Sequence, residues 1–134
     1  MTTNIYPPCF YRVSVKALIY KKNKILLVKE PDGRWELPGG GLEIEESIFD
    51  GIKREVKEEL GVNVIKVSSQ PQSAWVRINE GKPVLILPFI VEVDSFEFKN
   101  DPKESVEIDF FLKQEIQKIN LHPNIQKLPD LLDG

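Results

Sequence analysis

The stretch GGGLEIEESIFDGIKREVKEELGV, from Gly39 to Val62, decides how the rest of the chain is read. Seven carboxylates crowd it (Glu43, Glu45, Glu46, Asp50, Glu55, Glu58 and Glu59), and Glu36 stands just before it. Like charges at i,i+4 spacing are mildly destabilising on a helix, so the pattern asks for a compensating partner. On a wheel at about 100° per residue, Ile48, Phe49, Ile52, Val56 and Leu60 form one apolar stripe that should face a core. Gly61 follows the last periodic residue and ends the helix. Glu55 is the i,i+4 neighbour of Glu59 and the i,i+3 neighbour of Glu58, so the three can converge. Glu59 also falls within the angular range of the stripe, where an unpartnered carboxylate is costly. A solvated acidic face supported by Lys53 and Lys57 accounts for Glu45 and Glu46, but poorly for Glu55, Glu58 and Glu59. A cation accounts for all three. Clustered carboxylate oxygens suit Mg²⁺ or Mn²⁺, and a single histidine and a single cysteine argue against zinc. The neighbouring glycines let backbone approach a ligand with no Cβ in the way.

Outward from this helix the chain alternates strand and turn patterns. Tyr11 to Tyr20 and Ile25 to Glu30 flank the polar turn Lys21 to Lys24 and read as a hairpin. Pro31 to Arg34 is a strong turn signal. After the helix, Val62 to Val67, Ala74 to Ile78, Pro83 to Val93 and Val106 to Phe111 read as strands. Pro88 inside the third of these suggests a sheet edge or a bulge. Lys113 to Ile119 is predicted helical, and Pro123 and Pro129 break the tail. Mixed strands with two helices predict an α/β sandwich.

With 134 residues the chain is expected to be a single domain, 1–134, able to bury a real core. A net charge of −3 supplies no bulk attraction for a nucleic-acid backbone or an anionic membrane. A phosphate-bearing ligand would therefore be recruited by local groups or by a cation. One cysteine, Cys9, allows no intrachain disulfide and reads as a small apolar filler. No secretory signal or membrane-length apolar run is present, and the expected location is cytoplasmic. The oligomeric state is left open, a homodimer among the options.

The spacing Gly40, Glu46, Arg54-Glu55-Val56, Glu58-Glu59, Gly61-Val62 resembles the complete Nudix box, the signature of hydrolases acting on a nucleoside diphosphate linked to another moiety. Every defined position is filled, and the preceding WELPGG is similar to the family's approach to the box. The resemblance implies a Nudix fold, an α/β/α sandwich with a mixed sheet. It implies that Glu55, Glu58 and Glu59, with the Gly39 carbonyl, ligate a divalent metal. It gives Arg54 the task of holding the helix carboxylates, for which a guanidinium has the right bidentate geometry, and makes Glu46 a support of the loop and helix. Gly40 and Gly41 would border the substrate. Family members differ in their general base, so Glu58, Glu59, Glu104 and Glu107 are all candidates. Lys29 lies where basic residues often meet substrate phosphate, and Trp75 is an aromatic available to stack on a base, although aromatics in strands are more often core.

The reaction so implied is metal-dependent hydrolysis of a diphosphate linkage in a small-molecule nucleoside diphosphate derivative. The alternative is a catalytically inactive Nudix-fold nucleotide-binding or regulatory module, against which the full set of box carboxylates speaks. An isoprenoid diphosphate isomerase shares the fold, but Cys9 is badly placed for its catalytic thiol. Nothing in the sequence selects the leaving group.

Overall fold

The structure is a computed structural model that describes residues 10–132; Cys9 lies outside the described residues. The chain runs β1 (Arg12–Leu18), β2 (Tyr20–Lys21), β3 (Lys24–Lys29), β4 (Trp35–Glu36), β5 (Gly39–Gly41), α1 (Ile48–Leu60), β6 (Val64–Val67), β7 (Trp75–Asn79), β8 (Lys82–Val93) and β9 (Glu107–Phe111). It closes with α2 (Lys113–Ile116), a 3₁₀ turn at Pro123–Ile125 and α3 (Leu128–Leu131). Among the described residues the strands form two sheets. In the first, β8 lies parallel to β1, β5 is antiparallel to β1, and β6 and β7 share the far edge of β8. In the second, β3 is flanked by β9 on one side and by β2 and β4 on the other.

Alternation along the strands explains the layering, because successive side chains leave opposite faces. Val15, Ala17, Ile19, Leu26, Val28, Phe89 and Val91 pack with Ile52, Val56 and Leu60 of α1. Leu18, Ile25, Leu27, Trp35, Leu37 and Phe111 pack on the other side with Ile116, Ile125 and Leu128. Helices therefore cover both faces of a mixed sheet arrangement, the expected α/β/α sandwich. Burying Ile52, Val56 and Leu60 contributes about 2 kcal/mol each to seating α1. Among the described residues no helix is long and apolar enough to cross a membrane.

Three local expectations are corrected. The anticipated hairpin survives only at its tip, where Tyr20 pairs Ile25 and Lys21 pairs Lys24. Residues 12–18 instead join the other sheet, since a strand buried on both faces needs partners with cover on both sides. Pro88 is at no sheet edge: it sits in β8, paired in register with Lys16. Its missing N–H is tolerated because β7 pairs only as far as Ile86 and β6 only from Val91, so the outer side of β8 meets a loop there. Gln72 of that loop donates its N–H to the Pro88 carbonyl at 2.8 Å. The apolar stripe of α1 starts later than its periodicity suggests, for Ile48 and Phe49 remain exposed.

Candidate active site

The helix that carries the carboxylates is set by local chemistry. The Ser47 hydroxyl accepts from Asp50 N–H at 3.0 Å and caps its start. Gly61, at φ 71°, turns the chain at its end and donates to the Lys57 carbonyl. The stripe on the core pins the rotation, which turns Glu55 and Glu59 toward β5, while Glu58 stays half exposed beside Arg54. There Gly39, at φ 135°, comes so close to β1 that a Cβ would collide with the Val15 carbonyl. A Cβ on Gly40 would lie 2.7 Å from Glu55 Oε1. The triple glycine is thus what lets this strand slide between β1 and the acidic helix.

Arg54 organises the cluster. Its Nε and Nη2 donate to the two oxygens of Glu46 at 2.8 and 2.9 Å, a bidentate pair. Its Nη1 donates to Glu55 Oε1 at 2.8 Å and lies 3.5 Å from Glu58 Oε2. Nη2 also reaches the Gly41 carbonyl at 3.2 Å. The guanidinium holds the Glu46 carboxyl down to about 2, with help from the Glu43 N–H. Glu46 in turn accepts from Glu43 N–H at 3.1 Å and ties the entry loop to the helix.

Among the described residues Glu59 has no such cation at hydrogen-bond range. Burial pushes its carboxyl well above the usual range; Lys16 opposes this and the neighbouring Glu55 adds to it. Gly39 N–H donates to Glu59 Oε1, a long contact at 3.4 Å. Burial thus disfavours the ionised form of this carboxyl, and a cation beside it would act in the opposite direction.

Of the three helix carboxylates Glu59 lines a cavity of about 480 Å³, together with Gly39, Gly40, Gly41, Arg12, Lys103 and Glu104 among others, while Glu55 and Glu58 are not in its wall. Glu104, on the loop before β9, lines the cavity with Glu59, and its carboxyl is raised by burial and then by the charges of Asp101, Glu55 and Glu58. Of the other residues anticipated at the site, Glu107 is exposed on β9 opposite Lys29 and lines no part of this cavity. Lys29 places its ammonium 5.8 Å from the Trp35 ring centre instead. Trp75 is buried with Val84 and Ile86 and donates its indole N–H to the Asn124 carbonyl at 2.7 Å, which leaves no ring face for a base in this cavity.

The sequence reading passed over the cavity floor. Lys16 and Glu36 are buried there with Nζ and Oε1 3.6 Å apart. Burial raises the Glu36 carboxyl, and Lys16 opposes the rise. Burial, then Arg34 and Lys16, lower His122 to about 4, so the ring is neutral near pH 7. Its Nδ1 accepts from Asn124 N–H at 2.9 Å, which puts the proton on Nε2. Glu30, Glu36 and His122 bring donor atoms within 4.8 Å of one another. Nδ1 is already engaged and the Lys16 ammonium lies 3.6 Å from Glu36, so this group is poorly suited to hold a cation. Charged letters inside apolar runs, Lys16 in VSVKALI and Glu36 in WELP, are the signal that could have flagged it.

Comparison with known proteins places this geometry. The MutT-like protein of Streptomyces ambofaciens is 29% identical over 129 residues, covering 95% of this chain and 80% of that protein. The ADP-ribose pyrophosphatase of Methanocaldococcus jannaschii is 34% identical over 118 residues, covering 80% of this chain and 65% of that protein. The crystal structure of the MutT protein from Methanosarcina mazei superposes with a TM-score of 0.78 at 25% identity, covering 92% of this chain and 91% of that one. The NUDIX domain family model matches residues 10–132, and its span contains the Arg54 network, the glycine strand and the cavity alike. With the fold, the box and the family model in agreement, the chain belongs to the Nudix family and is a Nudix-type hydrolase.

Proposed function

We propose that the protein hydrolyses the diphosphate linkage of a nucleoside diphosphate derivative in a reaction that depends on Mg²⁺ or Mn²⁺. The observation that carries this is the Arg54-ordered set of carboxylates lying against a glycine strand at the edge of a 480 Å³ cavity. The donor set fits a hard cation: Glu55, Glu58, Glu59 and the Gly39 carbonyl offer only oxygen, and Glu59 is buried where a lone charge is unfavourable. A cation held there would neutralise diphosphate charge and acidify the attacking water. Arg54 keeps Glu55 in one orientation, and Gly40 and Gly41 leave room for substrate beside it. Glu104 is the favoured general base, because it lines the cavity and burial, with the charges around it, raises its proton affinity. The oxygen of water bonds to one phosphorus, the bridging P–O bond breaks, and the proton passes to a carboxylate.

The names of relatives such as the ADP-ribose pyrophosphatase support a nucleoside diphosphate derivative as the substrate. The test is a panel of nucleoside triphosphates, nucleotide sugars and dinucleoside polyphosphates, assayed for nucleotide release with Mg²⁺, with Mn²⁺ and with chelator. Hydrolysis of at least one class, abolished by chelator, is expected. Equal turnover with chelator would overturn the metal assignment, and no turnover on any class would overturn the reaction.

A further inference from the structure

Six consecutive residues, Ser14 to Ile19, are buried, and all but Ser14 and Lys16 are apolar. Lys16 is only 5% exposed. An ammonium has three N–H donors. Among the described residues its Nζ has the Leu37 carbonyl at 3.5 Å and Glu36 Oε1 at 3.6 Å, both at or past the limit of a hydrogen bond. A residue serving only as the counter-ion of Glu36 would be expected to close that gap. Desolvating a cation on these terms is unfavourable, and an unbranched apolar side chain would fill the volume without the cost.

The position is specific. Lys16 pairs with Gly39 in the register of β1 and β5, and it lines the same cavity as Gly39, Gly40 and Glu59. Val15 and Lys16 backbone lie so close beneath Gly39 that this part of β1 has little room to shift. Glu59 of the helix and Glu36 and Glu30 of the floor line this same cavity, and the Lys16 charge opposes the rise of all three carboxyls.

Building on the hydrolase reading above, we propose that the Lys16 ammonium contacts a phosphate oxygen of the substrate directly. It donates the N–H groups that no protein atom takes, and it stabilises the negative charge that gathers on the departing phosphate when the bridging bond breaks. Lys16 is then a catalytic residue outside the acidic helix, supplied by the first strand.

The test is Lys16→Met, with kcat, KM, thermal melting and calorimetric binding of inorganic pyrophosphate in Mg²⁺. The expected result is a folded protein melting at or above the parent, with kcat on the order of a hundredfold lower and pyrophosphate binding weakened tenfold or more. In Lys16→Ala, added ethylammonium should restore part of the lost kcat, which a structural role would not produce. Parental kcat and KM in Lys16→Met would overturn the proposal. Should Lys16→Met fail to fold, Lys16→Met/Glu36→Gln removes both partners of the buried pair; parental turnover in that variant overturns the proposal, and a hundredfold loss against Glu36→Gln alone supports it. Should the parent hydrolyse none of the panel, the reaction reading fails by itself. The Lys16 contact then stands if pyrophosphate binding depends on Lys16, and falls if the parent and Lys16→Met bind equally or neither binds.

Discussion

Replacing Arg54 with lysine keeps the charge and removes the fork. In the structure the guanidinium makes two bonds to Glu46, one to Glu55 and one to the Gly41 carbonyl, all between 2.8 and 3.2 Å. A lysine ammonium is a point donor that cannot span both carboxylates with this geometry, so at least two of these bonds are lost. Each charge-assisted bond contributes about 1.5–3 kcal/mol. The side chain is 24% exposed, so water replaces part of that, and a net loss of about 2 kcal/mol is expected for Arg54→Lys. At about 2.1 cal/mol/K per residue, 134 residues turn this into a fall in Tm of about 7 °C. Freed of the clamp, Glu55 moves, and a misplacement of about 1 Å lowers turnover by on the order of a hundredfold. The acid side supplies an internal control. Glu46 is held near 2 in the folded state, below its ordinary 4.5, so its contribution is present above pH 4.5 and is lost as pH falls toward 2. The gap in Tm between the parent and Arg54→Lys should therefore be widest at neutral pH and close toward pH 2. Scanning calorimetry from pH 2 to 8 and steady-state kinetics measure both. A variant with parental kcat and an unchanged Tm at pH 7 would show that the network is surface decoration and would refute the reasoning.

Glu59→Gln removes a desolvated carboxyl, so the metal-free protein should melt higher while activity falls at least roughly a hundredfold, about 2.7 kcal/mol of transition-state stabilisation; full activity would remove Glu59 from the site. Glu104→Gln should slow turnover by on the order of a hundredfold while the rise in Tm on adding Mg²⁺ persists, and Glu107→Gln should be near parental; the reverse order in the two kcat values would return the base to the later strand. The one imidazole of the chain should titrate near 4 by NMR. Its folded value lies below its ordinary 6.5, so the unfolded chain binds the extra proton and stability should fall as pH drops from 6.5 to 4; a midpoint at 6.5 would place His122 in water.

How much of this was legible beforehand follows the range of each interaction. The acidic helix is a local object: Glu55, Glu58 and Glu59 share a face because 3.6 residues make a turn, and Ser47 and Gly61 mark its ends within the same few residues. The clamp of Arg54 on Glu46, eight residues apart, lies within that reach too. Layering followed from alternation, since Leu26 and Val28 must leave β3 on the face opposite Ile25 and Leu27. Strand partners did not follow. The apolar run from Val13 to Leu18 fits a hairpin arm and a central strand equally well, and only the parallel pairing with Val84 to Ile90, some seventy residues on, chooses between them. That choice also makes the cavity floor. Lys16, Glu36 and His122 come from separate segments, and although Lys16 and Glu36 stand out within apolar runs, nothing local says that they meet. Their burial, their mutual charge and the spare donors of Lys16 exist only once β1, β4 and the turn at Pro123 are packed together. Trp75 shows the same limit from the other side: an aromatic in a strand can face a ligand or the core, and what decided was the Asn124 carbonyl that the closing 3₁₀ turn sets 2.7 Å from its indole nitrogen.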